Sequence, residues 1–130
     1  MPSRKEPVPL RFPPSPDLVP LWQAAVDFVL TLPGAEESRS YGTPALKVKG
    51  KLIARLRSEA EGGLAVRCAM DARDVLLNAD PEAFYLTDHY VDYPMILVRL
   101  DKIEDDALRD VLEQAWRDVA PAKLVDSWDD

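Results

Sequence analysis

One cysteine, Cys68, and one histidine, His89, occur among the 130 residues, so Cys–His nucleophilic chemistry would require these two side chains to meet. Cys68 falls on the apolar side of the alternating run Leu64, Val66, Cys68. A thiol there is buried and inert, whereas a reactive one needs an exposed, electropositive setting. Asp88, His89 and Asp92 are donors close together in sequence, but a lone histidine with two acids in a polar loop falls short of a metal set. Asp101, Glu104, Asp105, Asp106 and Asp110 suit the first turn and start of a helix, where the dipole favours negative charge. Ser38, Ser40, Tyr41 and Thr43 read as turn and capping hydroxyls. Neither G-x-G-x-x-G nor G-x-x-x-x-G-K-[ST] is present, and no phosphate-cradling loop is expected. The sequence assigns no catalytic residue, no cofactor and no metal ligand.

Charge is more informative. The formal net charge is −7, which taken alone disfavours a polyanionic partner. Between Arg39 and Arg67, however, seven basic residues and two acidic ones give +5, and the remainder of the chain carries −12. Strand periodicity then assigns directions. Lys47 and Lys49 oppose Leu46 and Val48; Lys51, Arg55 and Arg57 oppose Leu52, Ala54 and Leu56; Arg67 opposes Leu64 and Val66. On strict alternation these six cations share the solvent face of a three-stranded meander, with Ile53 the one apolar residue among them. A polar sheet face that discourages edge pairing explains such a pattern; so does an electrostatic footprint for phosphates. The absence of an aromatic residue within that alternating set argues against stacking on single-stranded bases.

The elements that must position these groups follow from periodicity. Seven of twelve prolines lie in the first twenty residues, so residues 1–16 are expected to form an extended arm. Leu18, Leu21, Trp22, Ala25, Val26, Val29 and Leu30 recur at helical spacing, and Pro33-Gly34 ends the run before a second element. Strands are expected over 45–49 and 51–57 around a Gly50 turn, from Leu64 through Cys68, and over 83–87 and 94–100. Asp71 is the expected N-cap of a short helix to Asn78 that packs Val75 and Leu76. Leu108, Val111, Leu112, Ala115, Trp116 and Val119 form the apolar stripe of a long helix that stops at Pro121. Trp22 and Trp116 are core candidates. The order α-β-β-β-α-β-β-α, with tight turns within each strand group, predicts an α+β two-layer domain over 17–123 whose antiparallel five-stranded sheet is covered by helices on one face. Residues 124–130 are an acidic tail expected to fray.

No apolar run approaches the roughly 18 residues of a membrane span, and a single cysteine allows no internal disulfide. A cytoplasmic protein, monomeric or weakly dimeric and without membrane contact, is the expectation.

Leu32-Pro33-Gly34-Ala35-Glu36-Glu37, then Tyr41-Gly42-Thr43-Pro44-Ala45-Leu46-Lys47-Val48 and Gly50-Lys51-Leu52-Ile53-Ala54 appear in order along the chain. Asn78-Ala79-Asp80-Pro81-Glu82-Ala83-Phe84-Tyr85, His89-Tyr90 and Trp116-Arg117-Asp118-Val119-Ala120-Pro121 follow. In order and spacing these segments resemble the MmcQ/YjbR family of small bacterial proteins, over roughly residues 26–124. The resemblance implies a fold like that of type III secretion chaperones, also called CyaY-like, and a DNA-binding role through a double wing of sheet hairpins. It assigns no individual binding residue. Thr43 stands where aromatic-Gly-His-Pro is common in relatives, so a polar contact from that histidine would be absent.

Charge and resemblance together lead to a non-enzymatic protein that binds double-stranded DNA through Lys47, Lys49, Lys51, Arg55, Arg57 and Arg67. The alternative is a protein-interaction or chaperone-like module. An acidic, metal-binding ridge is disfavoured because the first helix carries only Asp17 and Asp27.

Overall fold

The computed structural model describes residues 13–130; most of the expected N-terminal arm, residues 1–12, lies outside them. A short 3-10 turn at Pro16–Leu18 leads into α1 (Val19–Val29), with Pro20 in its first turn, where a missing N–H is harmless. The strands are β1 (Ala35–Ser40), β2 (Thr43–Val48), β3 (Lys51–Leu56), β4 (Leu64–Arg67), β5 (Phe84–Tyr85) and β6 (Met95–Val98); α2 (Met70–Ala79) follows β4, and α3 (Asp105–Val119) and α4 (Ala122–Asp129) close the chain. The sheet runs β1-β2-β3-β4-β6-β5, and every neighbouring pair is antiparallel. The α+β class is therefore as expected, but the sheet has six strands.

The additional strand is β1, whose sequence Ala-Glu-Glu-Ser-Arg-Ser shows no apolar alternation. As an edge strand it draws its order from backbone pairing with β2 along its full length. Tyr41 and Gly42 both take positive φ, 51° and 74°, and so do Lys49 (51°) and Gly50 (78°). These are the backbone signs of two-residue type I′ hairpins, which match the twist of the strands they join. One hairpin tip lies at each end of the β1–β2–β3 meander.

Trp22, Val26 and Val29 of α1 and Val111, Leu112, Ala115 and Trp116 of α3 pack against Leu46, Val48, Ile53, Ala54, Leu56, Leu64, Val66, Ile96 and Val98 of the sheet. Trp116 is fully buried, and its indole Nε1 donates to the carbonyl of Pro33 at 2.9 Å. The opposite face carries a smaller cluster of Ala65, Tyr90, Met95 and Leu97, with Leu52, Tyr85 and Leu86 at its margin.

Three local expectations are corrected. Helix α2 begins at Met70, one residue before Asp71, with Ala69 at the N-cap; Asp71 accepts from the Ala72 backbone N–H instead. Val75 on that helix is exposed; Leu76 packs against the core as expected, and Leu77 joins it there in place of Val75. The acidic tail is helical: Arg117 forms a bidentate pair with Asp129 at 2.7 and 3.0 Å, and Trp128 stands edge-on to Trp116 at 6.3 Å between ring centroids.

Candidate functional site: a basic, tyrosine-rimmed cleft

The face of the sheet away from α1 and α3 carries the site. In β2 and β3 the register moves from Leu46↔Ala54 to Lys47↔Leu52, leaving Ile53 as the extra residue of a β-bulge. The bulge reverses the facing of the strand. Ile53 joins Ala54 in the main core with no exposed surface, and Leu52 moves to the opposite side. Lys51 lies opposite Val48 and so shares the helix-bearing side of the sheet.

The six expected cations are consequently divided. Lys47, Arg55 and Arg67 lie on the outer face; Lys49 sits at a hairpin tip; Lys51 is exposed on the other side. Arg57, just beyond β3, joins the outer face, its guanidinium 5.5 Å from the centre of the Tyr90 ring. Arg55 and Arg57 are buried, at 6% and 7% exposure, which corrects the expectation of a single solvated basic face. Alternation indicates which side a residue faces but not what covers that side. Here the cover is the 86–94 segment, whose Tyr90 lies across both arginines.

Each cation has a defined setting. Arg55 donates to Thr43 Oγ1 at 3.0 Å, to Glu61 Oε2 at 3.2 Å and to the Tyr90 hydroxyl at 3.2 Å, and Thr43 Oγ1 in turn donates to the Ser40 carbonyl. Burial opposes its charge, but Tyr90 and Glu61 outweigh that and push its pKa up. The same balance acts on Glu61: burial favours the neutral acid, and the hydrogen bonds from Arg55 and Ser58 bring its pKa below the ordinary carboxylate value. Arg67 Nε donates to the Leu52 carbonyl at 2.9 Å. Arg57 Nε stands 3.7 Å from Glu61 Oε2, beyond hydrogen-bonding range. Its Nε and Nη1 are both buried with no hydrogen-bond partner among the described residues.

Between these groups lies a cleft of about 870 Å³, within the roughly 300–1,000 Å³ usual for ligand sites. Arg55, Arg67 and Glu61 contribute its charged lining, Leu52 and Met95 its apolar floor, and Tyr41, His89, Tyr90 and Tyr93 its aromatic rim. Tyr41 is 84% exposed at its hairpin tip, and Tyr93 is 54% exposed. His89 lies 5.8 Å from Tyr93, centroid to centroid. None of these aromatic residues belongs to the alternating strands, so the strand pattern does not reveal them. The signals that do are the Tyr-Gly dipeptide of a type I′ turn and the local density of His89, Tyr90 and Tyr93.

The 88–94 rim is held in place by Arg73. This arginine of α2 donates from Nη1 to the carbonyls of Tyr90, Tyr93 and Met95 and from Nη2 to that of Val91.

Cys68 is buried on the helix-bearing side, its thiol pushed up in pKa by burial and then by Asp118. His89 lines the cleft on the opposite face, so the two do not form a dyad. Among the described residues no three His, Cys, Asp or Glu side chains are grouped to hold a metal ion.

The family profile described as YjbR matches residues 30–118, spanning β1 through most of α3. The chain belongs to the YjbR family. It is also 33% identical over 88 residues to uncharacterised proteins of Mycobacterium bovis and Mycobacterium tuberculosis, an alignment covering 65% of this chain and 68% of each relative. The YjbR match includes Tyr41, Arg55, Arg57, Glu61, Arg67, Arg73 and the 88–94 rim, so the whole cleft lies within it. Among the described residues no helix is long and apolar enough to cross a membrane.

Proposed function

We propose that this YjbR-family chain is a non-enzymatic nucleic-acid-binding protein that takes a single-stranded segment in the outer-face cleft. The observation that carries the reading is the pairing of exposed aromatic rings, Tyr41, His89 and Tyr93, with the guanidinium groups of Arg55 and Arg67 around one concavity. Proteins that bind single strands combine cationic grooves with aromatic platforms, each stacked base contributing about 1–3 kcal/mol. A duplex fits less well. The six cations expected to contact its phosphates do not share one face, since Lys49 sits at a hairpin tip and Lys51 faces away. The acidic remainder of the surface repels nucleic acid elsewhere, which confines approach to this face. The reading keeps the CyaY-like description of the fold and a bacterial cytoplasmic setting as parts of the proposal, the buried free thiol of Cys68 being compatible with the latter.

The test is anisotropy of labelled short oligonucleotides, single-stranded and duplex, at about 50 and 200 mM salt. Single strands are expected to bind more tightly than duplex, with a log–log salt slope of about −0.7 per neutralised phosphate. Combined Tyr41→Ala and Tyr93→Ala substitutions are expected to weaken binding about tenfold or more, from the stacking contribution of two bases. Tighter duplex binding, or single-strand binding indifferent to both tyrosines, would overturn the cleft reading. If neither oligonucleotide binds, a protein-interaction role takes its place.

A further inference from the structure

Glu61 Oε2 stands between the guanidinium groups of Arg55 and Arg57, at 3.2 Å from Arg55 Nη2 and 3.7 Å from Arg57 Nε. It satisfies neither arginine fully. Arg57 retains two buried N–H-bearing nitrogens without a hydrogen-bond partner among the described residues. Two buried cations therefore share one carboxylate, and a buried guanidinium with unmade hydrogen bonds is unfavourable by the full desolvation of those groups.

The carboxylate is on a surface turn. Its side chain is 41% exposed, on the Ser58–Gly63 turn between β3 and β4. Ser58 donates to Glu61 Oε1 from both its N–H and its hydroxyl, and the Glu61 N–H donates back to Ser58 Oγ. That ring of contacts is local to the turn. Gly62 and Gly63 close the turn with positive φ, so displacing the carboxylate needs only a rotation of the partly exposed Glu61 side chain. Ser58, Ala60 and Glu61 also line the cleft itself.

We propose that Glu61 is an internal stand-in for the terminal phosphate of a ligand: a phosphate monoester on the sugar of a nucleoside displaces the carboxylate, takes its place between Arg55 and Arg57, and engages the unmet Arg57 donors while the base lies against the tyrosine rim. A dianionic phosphate offers three acceptor oxygens where the carboxylate brings one into reach, and arginine forks match phosphate geometry bidentately. The step is non-covalent. The site is closed by its own acid until a phosphate competes, so ligands without a phosphate monoester gain nothing from it. This inference rests on the cleft reading above and adds a ligand class: a nucleoside monophosphate or the 5′-phosphorylated end of a strand.

Calorimetric titration of the full chain with adenosine 5′-monophosphate, adenosine and inorganic phosphate tests it, using wild type, Glu61→Gln and Glu59→Gln. Glu59 is exposed on the same turn, and the carboxylate paired with both arginines is that of Glu61, so the Glu59 variant removes a nearby charge but no stand-in. Glu61→Gln is expected to tighten adenosine 5′-monophosphate binding by about tenfold or more, with adenosine unchanged and Glu59→Gln giving a much smaller gain. Equal gains for the two variants, or for adenosine, would overturn the displacement. Wild type supplies a measurement that needs no substitution: the Glu61 side-chain carboxyl ¹³C resonance should move toward that of a free carboxylate at saturating adenosine 5′-monophosphate, and a stationary resonance overturns the proposal. A 5′-phosphorylated strand compared with its 5′-hydroxyl counterpart separates the two sources. Strands that bind without regard to the 5′-phosphate or to Glu61→Gln remove this inference and leave the nucleic-acid reading intact. Mononucleotide binding of the stated pattern with no strand binding does the reverse.

Discussion

Arg73 Nη1 donates to the carbonyl oxygen of Tyr93 at 2.7 Å, tying a helix on one side of β6 to the aromatic rim of the cleft. With its other three carbonyl contacts this one buried side chain organises the segment from Tyr90 to Met95. Among the described residues no carboxylate is a hydrogen-bond partner of Arg73, so the guanidinium acts here as a hub for main-chain oxygens, adding to the backbone bonds that the Tyr90 and Tyr93 carbonyls already accept from Tyr93 and Met95.

The first prediction follows from that geometry. Arg73→Met keeps the length of the side chain but removes every donor. It should cost about 3 kcal/mol, the order of losing charged hydrogen bonds to buried groups, read as a lower midpoint in chemical denaturation. It should also weaken oligonucleotide binding more than Asp74→Asn, an exposed neighbour on the same helix. Hydrogen exchange offers the local readout: amides of residues 90–95 should lose protection before those of β2 and β3 do. Uniform loss across the sheet would mean that Arg73 supports the whole fold and not the rim.

What the sequence makes legible divides along a physical line. Local periodicity locates α1, α3 and the β2–β3–β4 meander because each has one face fixed by a single apolar core. Ile53 already breaks the alternation of β3, and the bulge is the reason. β1 has no apolar pattern to detect, since an edge strand can be ordered by backbone pairing alone. The cleft depends on contacts between residues distant in the chain, such as Arg55 with Tyr90, 35 positions apart. Charge patterning picks out Arg55, Arg57 and Arg67, which the structure places on one face, but it cannot foresee that the bulge sends Lys51 to the other side or that Tyr90 lies over Arg55 and Arg57.

Stability should depend on pH through Glu61. Its carboxyl is held below the usual value of 4.5, because the hydrogen bonds from Arg55 and Ser58 outweigh the opposing effect of burial. A depressed acid contributes stability that is complete above its unfolded pKa and is lost as pH falls through the folded one. Wild type should therefore be more stable than Glu61→Gln at about pH 6, and the gap should narrow steadily below about pH 4.5. Thermal melts of the two proteins across that range check it. A gap independent of pH would show that the carboxylate charge is not what stabilises the turn.

Trp116 joins α3 to the turn after α1 through its bond to the Pro33 carbonyl, 83 residues away, and α4 covers the ring with Trp128. Trp116→Phe should cost about 1–3 kcal/mol, chiefly by leaving that carbonyl without its donor. Trp116→Ala should cost about 3–5 kcal/mol through the cavity it adds. Denaturation midpoints rank the two. The substitutions lie across the sheet from the cleft, so whatever oligonucleotide affinity the folded fraction has should be unchanged, which separates structural from binding effects.

Cys68 provides the last prediction. Burial first, and then the nearby charge of Asp118, push its thiol above the ordinary range, with Arg73 acting weakly the other way. Both the low thiolate fraction and the buried position slow attack on a disulfide reagent. At about pH 8 the native chain should react at least about tenfold more slowly than free cysteine, and denaturant should restore the normal rate. Because the thiol lies on the helix-bearing side, ligands in the cleft should protect it only as far as they stabilise the whole fold. Arg73→Met gives the discriminating comparison: if it loosens only the 90–95 rim, Cys68 labelling stays slow, whereas fast labelling would show that α2 has detached from the sheet along with it.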